Sequence, residues 1–390
     1  MGELLIRGAA VYTVGGEVLE RGDVLIREGR IAAVGTGLQA GPGAAIREAG
    51  GLTLTPGLID AHAHVGIWED GLGWEGNDTN EITDPLTPHL RAIDGVNHED
   101  QGLRDAVAGG VTAVWCAPGS ANVIGGEGAT IRTHGCSLDD LILKAPSGLK
   151  AALGENPKRV YSQQKKMPST RMASAALLRD VLVKAQNYLA KQQRGNADPD
   201  KAPERDLRLE AVARVLKGEI PLRMHAHRAD DIFTALRIAA EFGLTLSIEH
   251  CTEGHKIADH LARRNVPAVV GPTLTARMKV ELKDRSLATP GILARAGVKV
   301  ALCTDHPVMP VHHLPLVAAM AIREGMDETD ALRAVTINAA EIAGVDDRLG
   351  TVEPGKDADL VLWTGPPFGF RTRVAATIMR GEVVFEAGGG

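Results

Sequence analysis

The sequence predicts an α/β protein, a (β/α)₈ TIM barrel with a small composite β-sandwich domain built from both termini. Three observations lead to this prediction. The chain has 390 residues, enough for a barrel of about 250 residues and a smaller domain. The middle of the chain alternates apolar strand patterns with helical patterns, as a parallel sheet requires. Both ends consist instead of short strand patterns separated by glycine-containing turns.

The β-sandwich domain is predicted to comprise residues 1–58 and 346–390. Apolar segments such as 22–26 near the start and 356–363 near the end have the length and composition of short strands. Because both ends are rich in strand patterns and the middle is not, one small domain assembled from both termini is the simplest arrangement.

The barrel is predicted to comprise residues 59–345. Apolar segments with the character of strands occur at 58–61, 111–115, 148–153, 222–225, 244–248, 266–270 and 298–303. One more strand is expected between residues 80 and 180. The polar segment 162–218 departs from this rhythm and predicts a helical insertion, either a lid over the site or a solvated helical hairpin.

Composition excludes several classes of protein. The net charge is −6 and charged residues make up 24% of the chain, which does not suggest the basic surface of a nucleic-acid-binding protein. No apolar run approaches the roughly 20 residues of a membrane span, and no signal peptide is evident at the start. The four cysteines have no C-x-x-C spacing, so free thiols and a reducing compartment are expected. We therefore expect a cytoplasmic protein without nucleic-acid or membrane partners, and homo-oligomers stay open.

Candidate metal ligands stand at the ends of the predicted strands, where barrels carry their chemistry. His62 and His64 are two residues apart, so on a strand both imidazoles point to the same face. A lone His-x-His is a weak signal, but other strand ends also carry histidine or carboxylate residues. These are Glu155, His225, His227, His250 and Asp305. Neutral imidazole with carboxylate suits zinc, manganese or iron better than calcium or magnesium.

Together these residues and the motifs around them resemble the amidohydrolase superfamily, in particular its imidazolonepropionase-like and prolidase-like members. The resemblance covers nearly the whole chain. The motifs are TPGLIDAHAH at 55–64, GGVTAV at 109–114, IEH at 248–250, TDH at 304–306 and GTVEPGKDADL at 350–360. The resemblance implies the same barrel with a composite β-sandwich, and a metal-dependent hydrolytic activity.

The resemblance also implies two metal sites. It assigns His62, His64 and Asp305 to one metal, and His225 and His250 to the second. Asp305 would also be the catalytic residue, accepting the proton of the metal-activated water and passing it to the leaving group.

In binuclear members a carboxylated lysine or a glutamate bridges the two metals. Glu155 is the expected bridge, because the strand is predicted to end near Leu153 and Glu155 follows it. Lys150, on the same strand, is the alternative bridging ligand as a carboxylated lysine.

One departure from the family pattern narrows the chemistry. Mononuclear deaminases and imidazolonepropionases carry a glutamate two or three residues after the histidine that corresponds to His225. Here His227 and Arg228 occupy those positions, which argues for a binuclear hydrolase. His227, Arg228 and His255 are candidate substrate-binding residues. Each has an alternative role. His227 would support a neighbouring metal ligand, Arg228 would form a surface salt bridge, and His255 would cap the following helix.

The sequence therefore predicts a metal-dependent amidohydrolase that acts on carbon–nitrogen bonds other than peptide bonds. A metal-activated hydroxide would cleave an amide or cyclic amide of a small-molecule substrate. The cofactor would be one or two divalent transition-metal ions, with zinc as the first expectation and manganese or iron as alternatives. Three alternatives stay open: a metal-dependent deaminase of a heterocyclic base, a dipeptidase or prolidase-like peptidase, and a catalytically silent barrel that acts as a binding module.

Overall fold

Two separate sheets organise the computed structural model, which describes residues 2–198, 200 and 202–388. The strands of the described residues are, in chain order, β1 (Leu4–Tyr12), β2 (Val18–Arg27), β3 (Arg30–Gly35), β4 (Ala45–Glu48), β5 (Thr53–Pro56), β6 (Leu58–Ala63), β7 (Val111–Cys116), β8 (Ile124–Arg132), β9 (Ile142–Ala152), β10 (Leu222–Ala226), β11 (Leu246–His250), β12 (Ala268–Val270), β13 (Val300–Leu302), β14 (Leu360–Trp363), β15 (Val374–Met379) and β16 (Glu382–Glu386).

Helices follow most of the strands of the second sheet. They are α1 (Gln101–Ala108), α2 (Leu138–Leu141), α3 (Glu155–Gln163), α4 (Arg171–Ala197), α5 (Leu207–Leu216), α6 (Ala229–Phe242), α7 (Ala258–Arg263), α8 (Thr289–Arg295), α9 (Leu314–Arg323), α10 (Glu328–Ala334) and α11 (Ile337–Ala343). Short 3₁₀ turns cover Ala92–Asp94, Gly254–Lys256, Val280–Leu282 and Val311–His313. Within the described part of the chain, no helix is both long and apolar enough for a membrane crossing.

The first sheet contains strands from both ends of the chain. Its order is β16-β15-β14-β5-β1-β2-β3, with β4 beside β1. The two ends meet where β14 pairs antiparallel with β5, with Leu360 opposite Pro56. Buried apolar side chains from both ends, among them Ile6, Leu54 and Ile378, form one core on this sheet. Burial of these side chains away from water therefore joins the two termini.

The second sheet is a barrel whose strands follow chain order from β6 to β13. Backbone hydrogen bonds just beyond β13 connect its end to β6: Asp305 N–H donates to the His62 carbonyl (3.1 Å) and His64 N–H donates to the His306 carbonyl (3.0 Å). These bonds bring the first and last strand ends together, and with them the candidate ligands that each carries.

The barrel differs from an all-parallel sheet at one strand. The strand expected between residues 80 and 180 is β8, and it runs antiparallel to both β7 and β9. This corrects the regular strand–helix alternation that the sequence pattern predicts. Only residues 117–123 separate β7 from β8, and a parallel crossover needs a dozen residues or more. The chain therefore turns back on itself at this position.

The predicted insertion consists mainly of the helices α4 and α5, with α3 leading into it. Leu178, Leu182 and Ala185 on α4 are buried in the barrel's hydrophobic core. Tyr188 on α4 donates a hydrogen bond to the Glu210 carboxylate on α5 (3.2 Å). One face of the insertion is therefore packed against the barrel rather than solvated on all sides.

Candidate metal centre

Four of the predicted ligands form a continuous cluster of imidazole rings at the carboxyl ends of the barrel strands. The ring centroids of His62 and His64 are 5.4 Å apart, those of His62 and His250 are 4.8 Å apart, and those of His225 and His250 are 4.5 Å apart. All four side chains are buried. Burial lowers the pKa of His62, His225 and His250 well below the ordinary value. Neutral imidazole is the form that binds a metal ion.

The Asp305 carboxylate completes one group of ligands within this cluster. Its Oδ1 lies 3.2 Å from His64 Nε2 and 3.7 Å from His62 Nε2. Burial tends to raise the pKa of Asp305, but the neighbouring His250 and His64 outweigh it and hold that pKa below the ordinary value. The group can therefore present a negative charge and two imidazole nitrogens to a single ion.

Strained backbone supports the side chains at this position. Asp305 has φ = 55° and His250 has φ = 70°, both in the left-handed region that non-glycine residues seldom adopt. Such a conformation costs about 1–3 kcal/mol and persists only where the surrounding structure imposes it. The fold therefore holds these two side chains in place against a local preference for other conformations.

Each inward-facing histidine is also oriented through its Nδ1 atom. The pairs are His62 with the Glu249 carboxylate (2.7 Å), His64 with the Ala117 carbonyl (2.7 Å), His225 with the Ser120 hydroxyl (2.8 Å), His227 with the Thr252 hydroxyl (2.7 Å) and His250 with the Gly271 carbonyl (2.7 Å). A carbonyl or carboxylate only accepts, so at His62, His64 and His250 the proton sits on Nδ1 and Nε2 keeps its lone pair.

The hydrogen-bond state of the Nε2 atoms indicates whether these residues fit a metal ion. His250 Nε2 and His227 Nε2 are buried and have no hydrogen-bond partner among the described residues. Buried polar atoms are nearly always paired, so such atoms call for an explanation. Metal-bound histidines typically donate their other ring N–H to a carbonyl or carboxylate, as His250 does here. The donor set therefore fits a divalent transition metal.

Lys150 lies directly beside the imidazoles. Its Nζ is 3.5 Å from His62 Nε2 and donates hydrogen bonds to the Pro118 carbonyl (3.0 Å) and the Ser120 hydroxyl (3.2 Å). The side chain is completely buried, and this burial lowers the pKa of Lys150 to about 8. Lys150 pairs with Arg223 in the sheet, two residues below His225. The backbone of Lys150 is therefore farther from the mouth of the barrel than that of His225, and the long lysine side chain brings Nζ to the imidazoles.

Glu155, the expected bridge, is not placed among the imidazoles. It is the first residue of α3, and its carboxylate accepts a hydrogen bond from Glu281 N–H (3.4 Å). It belongs to neither group of potential ligands among the described residues. Strand β9 ends at Ala152, so Glu155 already stands at the start of the following helix, while Lys150 reaches the position between the imidazoles.

A second group of potential ligands contains a residue that the sequence did not single out. Glu281 Oε1 lies 3.8 Å from His225 Nε2 and 3.6 Å from His227 Nε2. Glu281 belongs to the 3₁₀ turn Val280–Leu282, in the long connection between β12 and α8. It ends no strand and stands in a segment rich in lysine and arginine, so strand-end reasoning did not identify it.

The remaining candidate substrate-binding residues are engaged by neighbours. The Arg228 guanidinium donates two hydrogen bonds to Asp230 (2.9 and 2.8 Å). His255 Nδ1 is 2.9 Å from the Thr289 hydroxyl. Contact with a substrate stays a prediction for both residues.

Glu249 lies in the IEH motif at 248–250, but its contact with His62 did not follow from the sequence. It accepts a hydrogen bond from His62, two from Arg223 (both 3.0 Å) and one from Ser247 (2.6 Å), and it is completely buried. Arg223 in turn lies over the Trp115 ring, 3.5 Å from its centroid. The carboxylate therefore fixes the orientation of the His62 ring.

We expect Glu249→Gln to weaken metal binding by about 10- to 100-fold, the range typical of such supporting carboxylates. Competition of the protein with a metal-sensitive dye measures this change. Ser247→Ala is the control, because it removes one bond to Glu249 and leaves the bond to His62, so a much smaller change is expected. An affinity of Glu249→Gln equal to that of the unmodified protein would contradict the assigned role.

Comparisons with known proteins match this chain to one family. A model of the amidohydrolase family matches residues 204–384. The solved structure of an amidohydrolase from Thermotoga maritima MSB8 is 46% identical, with a TM-score of 0.95, and the match covers 98% of this chain and 100% of that one.

Two curated relatives are similar over most of this chain. The amidohydrolase tasK of Hapsidospora irregularis is 30% identical over 89% of this chain, which spans 38% of the length of that relative. An imidazolonepropionase of Idiomarina loihiensis is 26% identical, over 89% of this chain and 86% of its own length. Because the similarity to the Thermotoga maritima protein extends over nearly all of both chains, this chain belongs to the amidohydrolase family.

Proposed function

We propose that this protein hydrolyses the C–N bond of an amide or cyclic amide with divalent ions held at the mouth of the barrel. The observation that carries the proposal is the cluster of buried imidazoles whose Nδ1 atoms are all engaged by protein partners. A divalent ion bound there would lower the pKa of a coordinated water and polarise the substrate carbonyl.

The proposed ligands of the first ion are His62, His64 and Asp305, whose donor atoms lie within 4.8 Å of one another. His225 and His250 are the proposed imidazole ligands of a second ion. Imidazole and carboxylate donors favour zinc, manganese or iron.

Lys150 is the proposed bridge between the two ions, in a carboxylated form. Its Nζ lies beside His62 Nε2 and shares the Ser120 hydroxyl with His225. A carboxyl group on this nitrogen would supply two oxygen donors between the first and second groups of imidazoles. Support for this choice over Glu155 comes from these distances.

Asp305 is the proposed proton carrier. Its Oδ1 lies 3.2 Å from His64 Nε2, and its side chain retains 17% exposure toward the mouth of the barrel. It would accept the proton of the attacking water, and the same proton would pass to the nitrogen as the C–N bond breaks. The products are a carboxylate and an amine.

Removal of the metal is expected to abolish turnover. Chelator-treated protein should lose activity and recover it when zinc, manganese or cobalt is restored in stoichiometric amounts. Metal content by mass spectrometry and initial rates on the same samples measure this. Undiminished turnover with far less than one equivalent of metal would contradict the proposal, as would failure to take up any of these ions.

A substrate panel distinguishes the chemical alternatives. It contains cyclic amides, N-acyl amino acids, dipeptides that end in proline and nucleobases. Similarity to an imidazolonepropionase supports cyclic amides as the first group to test. Release of ammonia from the nucleobases would identify a deaminase instead, and cleavage of the dipeptides alone would identify a peptidase. Stoichiometric metal without turnover of any compound would favour a binding module.

A further inference from the structure

A second group of potential metal ligands lies beside the proposed first metal site and consists of His225, His227 and Glu281. The proposed reaction gives no role to two of them, His227 and Glu281. We propose that His227 and Glu281 join His225 and His250 as ligands of the second divalent ion. This inference rests on the proposed function, because it specifies how the mouth of the barrel binds its second ion.

The distances suit a single ion. Metal–nitrogen and metal–oxygen bonds of about 2.1 Å in a tetrahedral site place neighbouring donors roughly 3.4 Å apart. Glu281 Oε1 lies 3.6 Å from His227 Nε2 and 3.8 Å from His225 Nε2. Shifts of a few tenths of an ångström would therefore complete the site. Both distances exceed the usual length of a hydrogen bond, so direct hydrogen bonding between these side chains does not explain the arrangement.

The donor atoms of the two added ligands, Glu281 and His227, are buried and have no hydrogen-bond partner in the part of the chain that the structure describes. Glu281 is 1% exposed, and its Oε1 has no hydrogen-bond partner among the described residues; the same holds for Nε2 of His227. The nearest cation is Lys279, whose Nζ lies 3.9 Å from Oε1. A buried carboxylate without close pairing is costly, and coordination of a cation removes that cost.

A backbone N–H and a side-chain hydroxyl fix the orientation of Glu281 and His227, respectively. Glu281 Oε2 accepts a hydrogen bond from Glu155 N–H (3.0 Å), which leaves Oε1 directed at the histidines. Gly154 permits this approach: it has φ = 89°, and a Cβ atom there would stand 2.9 Å from Glu281 Oε2. His227 Nδ1 is engaged by Thr252, so its Nε2 is the free ring nitrogen.

Two variants remove one ligand atom each from different parts of the fold. Glu281→Gln keeps the size of the side chain and an oxygen for Glu155 N–H but removes the charge. His227→Asn keeps a polar atom near the Nδ1 position for Thr252 and removes Nε2. The control is Glu127→Gln, which neutralises another buried glutamate, one that pairs with Arg214 on the outside of the barrel. Circular dichroism and thermal melting of the metal-free proteins check that all variants fold.

Titration of the metal-free proteins with Co²⁺, followed by calorimetry and visible absorption, measures the number and strength of binding events. The unmodified protein and Glu127→Gln are expected to bind two ions. Glu281→Gln and His227→Asn are each expected to retain one and to bind the second at least about 100-fold more weakly, because loss of a direct ligand should exceed the loss of a supporting group.

Two tight sites in either Glu281→Gln or His227→Asn would overturn the proposal that both residues are ligands of the second ion. Two tight sites together with slower turnover in Glu281→Gln would identify Glu281 as a proton-transfer group instead. A single ion in the unmodified protein, unaffected by both variants, would overturn this inference and leave the hydrolytic function intact. No binding of Co²⁺ to the unmodified protein would overturn the proposed function as well.

Discussion

Asp305→Asn is expected to keep bound metal and lose turnover by about 100- to 10,000-fold, the usual contribution of a positioned acid–base group. The asparagine oxygen can still face the ion, and His62 and His64 are unchanged. The amide cannot accept the proton of the attacking water, so that proton would no longer reach the leaving nitrogen.

The measurement is kcat/KM on the best substrate of the panel, with metal content determined on the same preparation. Asp284→Asn is a suitable control, because this exposed carboxylate pairs with Lys256 and belongs to neither group of ligands. Full activity in Asp305→Asn would rule out the proton-carrying role. Loss of both metal and activity would show that the charge of Asp305 is needed to bind the metal ion, before any role in proton transfer.

Lys150→Met is expected to have the second largest effect, a loss of metal affinity of at least about 100-fold together with the loss of turnover. The physical reason is the position of Nζ beside His62 Nε2, where a carboxylated lysine would provide oxygen ligands to both ions. In the modification, Nζ forms a bond to the carbon of carbon dioxide and releases one proton. Methionine has a similar length and cannot undergo this reaction.

Glu155→Gln is the matched comparison, because the sequence favours Glu155 as the bridge. Its carboxylate contacts Glu281 N–H rather than the imidazoles, so a small effect on metal binding is expected. Carbon NMR after growth with isotopically labelled bicarbonate should reveal a carbamate signal in the unmodified protein and none in Lys150→Met. Loss of metal in Glu155→Gln but not in Lys150→Met would restore the glutamate as the bridge.

The positions of the strand-end residues follow from sequence pattern alone. A spacing of two residues on a strand places His62 and His64 on one face, and parallel barrel strands present their carboxyl ends at one mouth. The structure accordingly brings His62, His64, His225, His250 and Asp305 into one cluster. Their role as ligands stays a prediction.

Side-chain reach and loop position do not follow from such patterns. Lys150 lies below the strand end, and only its length carries Nζ up to the imidazoles. Glu281 arrives from a connection with no regular pattern, and its place depends on the contacts with Glu155 and Gly154. The reversal of β8 likewise depends on a short connection, which apolar periodicity does not reveal.

The sequence by itself determined the barrel, the joining of both ends in one sheet and the resemblance to the amidohydrolases, because periodicity and local motifs are properties of neighbouring residues. Only the tertiary structure decided that Lys150 and Glu281 lie beside the histidines at the mouth of the barrel. It also decided which partners, such as Glu249, orient the histidines. Those contacts join residues far apart in the chain, and burial and packing of the whole fold set their distances.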